Sequence, residues 1–309
     1  MINRNAALYL NDWLKKSRRK PLILRGARQV GKSTLVREFA KSAGLELLEI
    51  NLERHPVLDT VFRSLDVVRI CREIEGLLGR RIEAANSLLF LDEIQATPHA
   101  LAALRYFYEE MPELPVVAAG SLLEFTLADH EFSMPVGRVE YLHLGPLGFS
   151  EFLAAVDTGL VSYLEAAGRF EEIPDTAHAR LVERLREFLF VGGMPEAVCE
   201  FLENGSLTGV REVQRSIVET YQDDFAKYAR REDLARLHGV FQRIPVNIGR
   251  KIKYVNLSRE DLARDTKGCV DLLIRAQVCH RVSASHCSGL PLAAGENQRA
   301  FKLISMDVG

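Results

Sequence analysis

The chain has 309 residues, 47% of them apolar and 27% charged, and its formal net charge is −2. This is a globular composition, long enough for two or three domains, and it excludes a wholly basic nucleic-acid-binding protein. Apolar runs stay far below the roughly 20 residues a membrane span needs, and no secretory leader opens the chain, so a cytoplasmic location without membrane partners is expected.

The opening MINRNAALYLNDWLKKSRRK predicts an amphipathic helix with Leu8, Trp13 and Leu14 on one side. Pro21 to Arg25 is a short apolar run that stops at Gly26, so it reads as a buried strand, and Ser33 to Ala43 follows as a helix. Leu45 to Leu52 is a second strand. Val57 to Ala85 repeats apolar pairs at helical period and makes one or two helices. Ser87 to Ile94, SLLFLDEI, is a continuous apolar run closed by two acids, a central parallel strand. Pro98 to Tyr108 is a helix with Leu101, Leu104 and Tyr108 in register. Leu114 to Ser121 is a strand, Leu122 to Ala128 a short helix, and Val139 to Leu144 a fifth strand. Strands alternating with helices give an α/β fold with a parallel sheet and helices on both faces.

From Phe149 to about Ile244 strand signals fade. Ala177 to Phe190 is helical until Gly192-Gly193 breaks it. Leu207 to Ala229 is a long helix whose Val210, Val213, Ile217, Tyr221, Phe225 and Tyr228 form a core stripe. Further on, Ser258 and Asp261 suggest a capping box opening a helix that includes Leu262. Lys267-Gly268 reads as a turn, Cys269 to Ala276 as a second helix, and Val278 to Ser285 and Phe301 to Ser305 as strands joined by SGLPLAAGENQR. Helix, turn, helix and a two-stranded ribbon is the winged-helix order. The domain expectation is therefore 1–150, 151–245 and 246–309.

Five cysteines, Cys71, Cys199, Cys269, Cys279 and Cys287, are scattered and expected as thiols. Cys279-His280 and His286-Cys287 raise a zinc site, but there is no C-x-x-C pair, and neighbours in a strand point to opposite faces, so the spacing disfavours it.

The chemistry concentrates in two places. Gly26 to Ser33, GARQVGKS, matches G-x-x-x-x-G-K-[ST]. Gly26 and Gly31 let the backbone curl so that successive amides converge on anionic oxygens at a helix N-terminus. Gly26, Ala27, Arg28, Gln29, Val30, Gly31, Lys32, Ser33 and Thr34 are the expected nucleotide contacts. Lys32 meets the β- and γ-phosphates, and the Ser33 hydroxyl ligates Mg²⁺. Asp92 and Glu93 close the strand SLLFLDE; Asp92 suits the Mg²⁺ shell and Glu93 suits polarising the attacking water.

Four further residues are candidates. Ser121, after Gly120, orients the water or senses the γ-phosphate, unless it is an ordinary strand-ending serine. Arg138 serves a neighbouring subunit as an arginine finger, unless it is merely solvated. Arg28 reads as a loop-fixing or phosphate-rim residue beside Arg25. Gln95 faces the site just beyond the acids. No N-K-x-D guanine signature occurs between Asp92 and the helical segment, which favours ATP over GTP.

The ordered set GARQVGKSTL, FLDEIQ, VVAAGSLLEF, GRVEYLHLGPLGFSEF and GGMPEAV resembles the prokaryotic AAA+-type ATPases that carry a C-terminal domain of unknown function. The resemblance covers almost the whole chain. It implies an AAA+ core with Lys32 and Ser33 as Walker A residues and Asp92 and Glu93 as Walker B residues. It also implies Ser121 at the sensor position, Arg138 near the finger position, a helical lid and a winged helix. Family members usually continue past DVG into a nuclease-like domain, so a truncated or shortened chain is the expectation at Gly309.

The favoured reading is Mg²⁺-dependent ATP hydrolysis coupled to movement of the lid and winged helix, with a homo-oligomer if Arg138 acts in trans. The alternatives are a DNA-binding regulator switched by nucleotide and a nucleotide-binding interaction module with little turnover. KGCVDLLIRAQ, the presumed recognition helix, is too apolar at its centre for strong groove reading. The small basic cluster Arg250, Lys251 and Lys253 leaves phosphate contact open.

Overall fold

Short apolar runs form the strands of the first unit, Met1–Glu171, and proline and glycine bound two of them, Leu22–Arg25 and Val116–Ala119. In this computed structural model the described residues are 2–121, 137–167, 173–227, 229–258 and 260–309. The expected helix Leu122 to Ala128, and Tyr228, lie outside them.

Strands β1 (Leu22–Arg25), β2 (Glu46–Asn51), β3 (Ser87–Asp92), β4 (Val116–Ala119) and β5 (Glu140–His143) make one sheet in the order β2-β3-β4-β1-β5. Every neighbouring pair is parallel. β3 is therefore interior but not central: β4 is the middle strand, inserted between β1 and β3. All six residues of β3 are buried, as a strand covered on both faces must be.

One face carries Ile23, Leu48, Ile50, Leu89, Leu91, Val116 and Ala118, packed with helices α3 (Leu58–Phe62), α4 (Val67–Leu78) and α5 (Pro98–Glu110). Alternate residues point the other way. α2 (Lys32–Ala43) contacts β2, β3 and β4, and α1 (Ala6–Leu14) contacts α2. α6 (Phe149–Val156) and α7 (Thr158–Ala167) follow β5.

Two local expectations change. In α1 the buried side chains are Leu10 and Trp13, while Leu8 is exposed. Trp13 fixes that rotation, because its indole N–H donates to the Lys20 carbonyl at 2.8 Å. In α5 the buried partner of Leu101 and Leu104 is Phe107, with Tyr108 only half-buried.

The second unit, Glu172–Gly309, begins with helices α8 (Asp175–Val191), α9 (Pro195–Asn204) and α10 (Leu207–Asp224). α10 buries Val210, Ile217 and Tyr221, and Phe225 beyond it packs edge-on against Phe241 at 5.3 Å. Gly192 ends α8 with φ 77°, and a Cβ there would overlap the Asp307 carboxylate. The same carboxylate accepts from the Gly193 N–H at 2.7 Å.

Helices α11 (Leu234–Arg243), α12 (Tyr254–Leu257) and α13 (Ala263–Arg275) precede an antiparallel pair, β6 (Cys279–Ser285) and β7 (Glu296–Ser305). The expected break at Lys267-Gly268 is not there; α13 runs straight through it. Thr266, Cys269, Val270 and Leu273 bury one continuous stripe, and that packing outweighs the roughly 1 kcal/mol that an interior glycine costs. Ser258 caps no helix start. It ends α12, and its hydroxyl donates to Asp261 at 2.7 Å within the turn before α13. Cys279 is buried while His280 is exposed, and all five cysteines are free thiols. No helix among the described residues is long and apolar enough to cross a membrane.

Candidate active site

The loop from Gly26 to Gly31 leaves β1 and enters α2. Gly26 adopts φ 155°, and a Cβ there would overlap the Leu144 carbonyl, so this backbone approach needs glycine. Gln29 takes a left-handed φ of 61°, and Gly31 caps α2 at φ 88° with no side chain to occupy the first-turn amides. Those amides are the orphan donors every helix start leaves, and no acidic residue stands in the first turn of α2.

Lys32 is buried, and its ammonium donates to the carbonyls of Gly26 at 3.0 Å and Ala27 at 2.7 Å. Burial pushes its pKa down to about 8, against the opposing pull of Glu93 and Asp92; Arg28 pushes it further down. Arg28 is therefore close enough for its charge to act on Lys32. Ala27 and Val30 are buried, and Gln29 and Thr34 are exposed.

Ser33 Oγ donates to Asp92 Oδ2 at 2.9 Å. Burial raises the Asp92 pKa, while hydrogen bonds from Ser33 and from the Glu93 amide oppose the rise. Glu93 turns out of β3 in the left-handed region, φ 52° and ψ 47°, which aims its carboxylate away from the strand. Its Oε2 accepts from Gln95 Nε2 at 2.6 Å.

β4 separates β1 from β3, so the end of β4 lies between the loop and the acids. Ser121 sits there, buried, with a hydroxyl that has no partner among the described residues. Gly26 to Ser33, Asp92, Glu93, Gln95 and Ser121 thus converge on the C-terminal edge of the sheet, where open α/β sheets bind ligands.

Arg138 does not join them. It precedes β5 at the opposite edge, where its Nε donates to Glu109 Oε1 at 2.8 Å. β5 aligns Glu140 with Leu22 and His143 with Arg25, so along the strand direction Arg138 lies about 20 Å from Gly26 at ~3.3 Å per residue. Arg25 stacks on Tyr141, 4.2 Å from its ring centre.

Two contributors, Arg4 and Glu151, stand outside the candidates named from the sequence. Arg4 donates to the Val30 carbonyl at 2.9 Å, to the Gly145 carbonyl at 2.7 Å and to Glu151 at 3.1 Å. Glu151 also accepts from the amides of Asn5 at 2.7 Å and Gly148 at 3.0 Å. Together they brace the loop from behind. Nothing in the sequence near Arg4 announces this, because its partners lie far along the chain.

The donor set suits Mg²⁺. A hydroxyl and a carboxylate, both hard oxygens, meet beside the loop, and no three His, Cys, Asp or Glu side chains cluster as a metal cage among the described residues. Mg²⁺ is ordinarily held by one or two protein oxygens together with substrate phosphates, and this pair matches that pattern.

Comparison with known proteins agrees with the geometry. Residues 18–153 match the model of the AAA domain, and residues 182–309 match a domain of unknown function (DUF8612). No curated protein matches. Among solved structures, a Walker-type ATPase of Pyrococcus abyssi is 16% identical with TM-score 0.60, covering 99% of this chain and 94% of that one. The Aeropyrum pernix ORC1 protein in complex with DNA is 14% identical with TM-score 0.37, over 99% of this chain and 89% of its own. C. elegans PCH-2 is 12% identical with TM-score 0.34, over 69% and 70%. With its loop, its paired acids and its five-stranded parallel sheet, the segment 18–153 is an AAA-type P-loop domain, and a domain of unknown function follows it over 182–309.

Proposed function

We propose that this protein is a Mg²⁺-dependent ATPase. The observation that carries the reading is the 2.9 Å bond from Ser33 to Asp92 beside a buried Lys32 and an outward-turned Glu93. ATP phosphates would replace the Gly26 and Ala27 carbonyls as partners of Lys32, and the α2 amides would take the remaining oxygens. Ser33 and Asp92 would hold Mg²⁺, which supplies charge neutralisation across the β- and γ-phosphates. Glu93 accepts a proton from water as its oxygen attacks the γ-phosphorus. The bond to the β–γ bridging oxygen breaks, leaving ADP and phosphate. Ser121, whose hydroxyl has no partner among the described residues, orients the water or the γ-phosphate.

Residues 1–150 serve as the ATPase core, 151–245 as a helical lid and 246–309 as a winged-helix-like segment, the last two moving with the nucleotide state. Arg138 works only in trans, because it stands at the wrong edge of its own sheet. The deciding experiment is Glu93→Gln. ATP binding within about three-fold of wild type, with turnover reduced at least ~10²-fold, supports the reading. Unchanged turnover removes Glu93 from the mechanism.

A second reading, DNA contact, has one specific observation behind it. Lys253, Lys267 and Arg281 line a cavity of about 550 Å³ together with Tyr254 and Phe301. Arg281 stacks 4.2 Å above the Phe301 ring. Cations interleaved with aromatic faces suit a nucleic-acid strand. DNA affinity that falls steeply with salt supports this reading, and no binding at low salt ends it.

A further inference from the structure

Gln95 closes the FLDEIQ stretch two residues beyond Glu93, and it holds the group on which hydrolysis depends. An ionised carboxylate only accepts, so the Gln95 amide nitrogen must face Glu93, and it does so at 2.6 Å. That orientation turns the amide oxygen the other way. Gln95 Oε1 is buried without a donor among the described residues. It lies against Gly120 at the end of β4, where a Cβ would overlap it outright. Beyond Oε1, the next atoms such a Cβ would meet are Gln95 Cδ at 3.3 Å and Ile94 Cγ2 at 3.6 Å, so Gln95 is the chief reason position 120 has no room. The next residue, Ser121, carries a buried hydroxyl that also has no partner among the described residues. Orphaned polar atoms at two neighbouring positions mark a place where unmet hydrogen bonding is tolerated for function.

We infer that Gln95 is the positioning residue of this site, seated by Gly120 and holding the Glu93 carboxylate in the direction needed to receive a proton from water. The inference rests on the ATPase reading. Glu93 leaves the strand in a left-handed conformation, so its side chain has no sheet neighbours to fix it; the Gln95 amide supplies the restraint. Gly120 is the coupled half of the device. A methyl there displaces only the far end of a flexible side chain, so Gly120→Ala swings the amide off Glu93 and leaves β4 in place.

The test is a double-mutant cycle read in kcat and in ATP Kd separately, with Tm as a control. Gln95→Ala is expected to lower kcat by about 10–100-fold while Kd stays within about two-fold, since a misplaced group of this kind costs up to ~10². Gly120→Ala should give a similar loss. The double variant should lose no more than Gln95→Ala alone, because the methyl added at position 120 then has nothing to displace. Full turnover in Gln95→Ala, or independent, multiplying losses in the double variant, overturns the inference while leaving the ATPase reading intact. Wild-type protein that hydrolyses no ATP removes both.

Discussion

Ser33 Oγ and Asp92 Oδ2 meet at 2.9 Å although their elements spring from strands that are not neighbours. The middle strand β4 runs between β1 and β3, and the bond closes over its end. Ser33→Ala or Asp92→Asn takes one hard oxygen from the pair. Each should raise the Mg²⁺ concentration needed for half-maximal turnover by at least ~10-fold, while metal-free nucleotide binding stays near wild type. A Mg²⁺ titration of ATPase rate checks this, and an unmoved midpoint would place the ion elsewhere.

Lys32 gives a pH signature. Its folded pKa is about 8, against 10.5 for an unburied lysine. Between those values the folded chain holds fewer protons than the unfolded one, so stability of the nucleotide-free protein rises with pH. The gain from this group is up to ~3 kcal/mol, complete above the upper value and absent below the lower. Denaturant titrations across the window should show that slope in wild type and lose it in Lys32→Met. Phosphate beside the amine restores its charge, so ATP binding should take up nearly one proton near pH 9 and none near pH 7. Calorimetry in buffers of different ionisation enthalpy measures this uptake.

Arg4 is a stability prediction with a binding consequence. Its side chain and that of Glu151 are 10% and 9% exposed, so removing one leaves the other charged and buried. Arg4→Ala should cost about 3 kcal/mol in urea unfolding and weaken ATP binding by loosening Val30. Arg4→Lys should recover only part, because one ammonium cannot reproduce a fork that reaches two carbonyls and a carboxylate. Wild-type stability in Arg4→Ala would show that the brace is dispensable.

Arg138 is tested by mixing. Arg138→Ala should lower turnover by about 10³-fold if it reaches a neighbour's γ-phosphate. Glu93→Gln subunits keep Arg138, so mixing the two inactive variants should restore part of the activity. Specific activity should also rise with protein concentration. Failure of complementation, or full activity in Arg138→Ala, leaves the residue as the partner of Glu109.

Much of the candidate site was legible because its rules are local. Gly26, Gly31 and Lys32 are read from spacing, since a tight loop into a helix restricts backbone angles residue by residue. Asp92 and Glu93 are read from a buried apolar run that ends in acids. Where expectation and structure part, a long-range contact has overridden a local preference. Leu8 looked as apolar as Leu10, but the Trp13 bond to Lys20 set the helix rotation. Gly268 looked like a break, but a buried stripe on both sides of it carried α13 through.

The sequence by itself determined the strand–glycine loop–helix unit, the paired acids and the alternation of strands and helices, because each depends on residues close together in the chain. Only the tertiary structure decided that β4 stands between the glycine loop and the acids, that Arg4 braces the loop, that Gln95 grips Glu93 above Gly120, and that Arg138 lies at the far edge. Those relations depend on strand order and on side chains meeting across long sequence separations. Burial and packing set such contacts together, and no short window of residues encodes them.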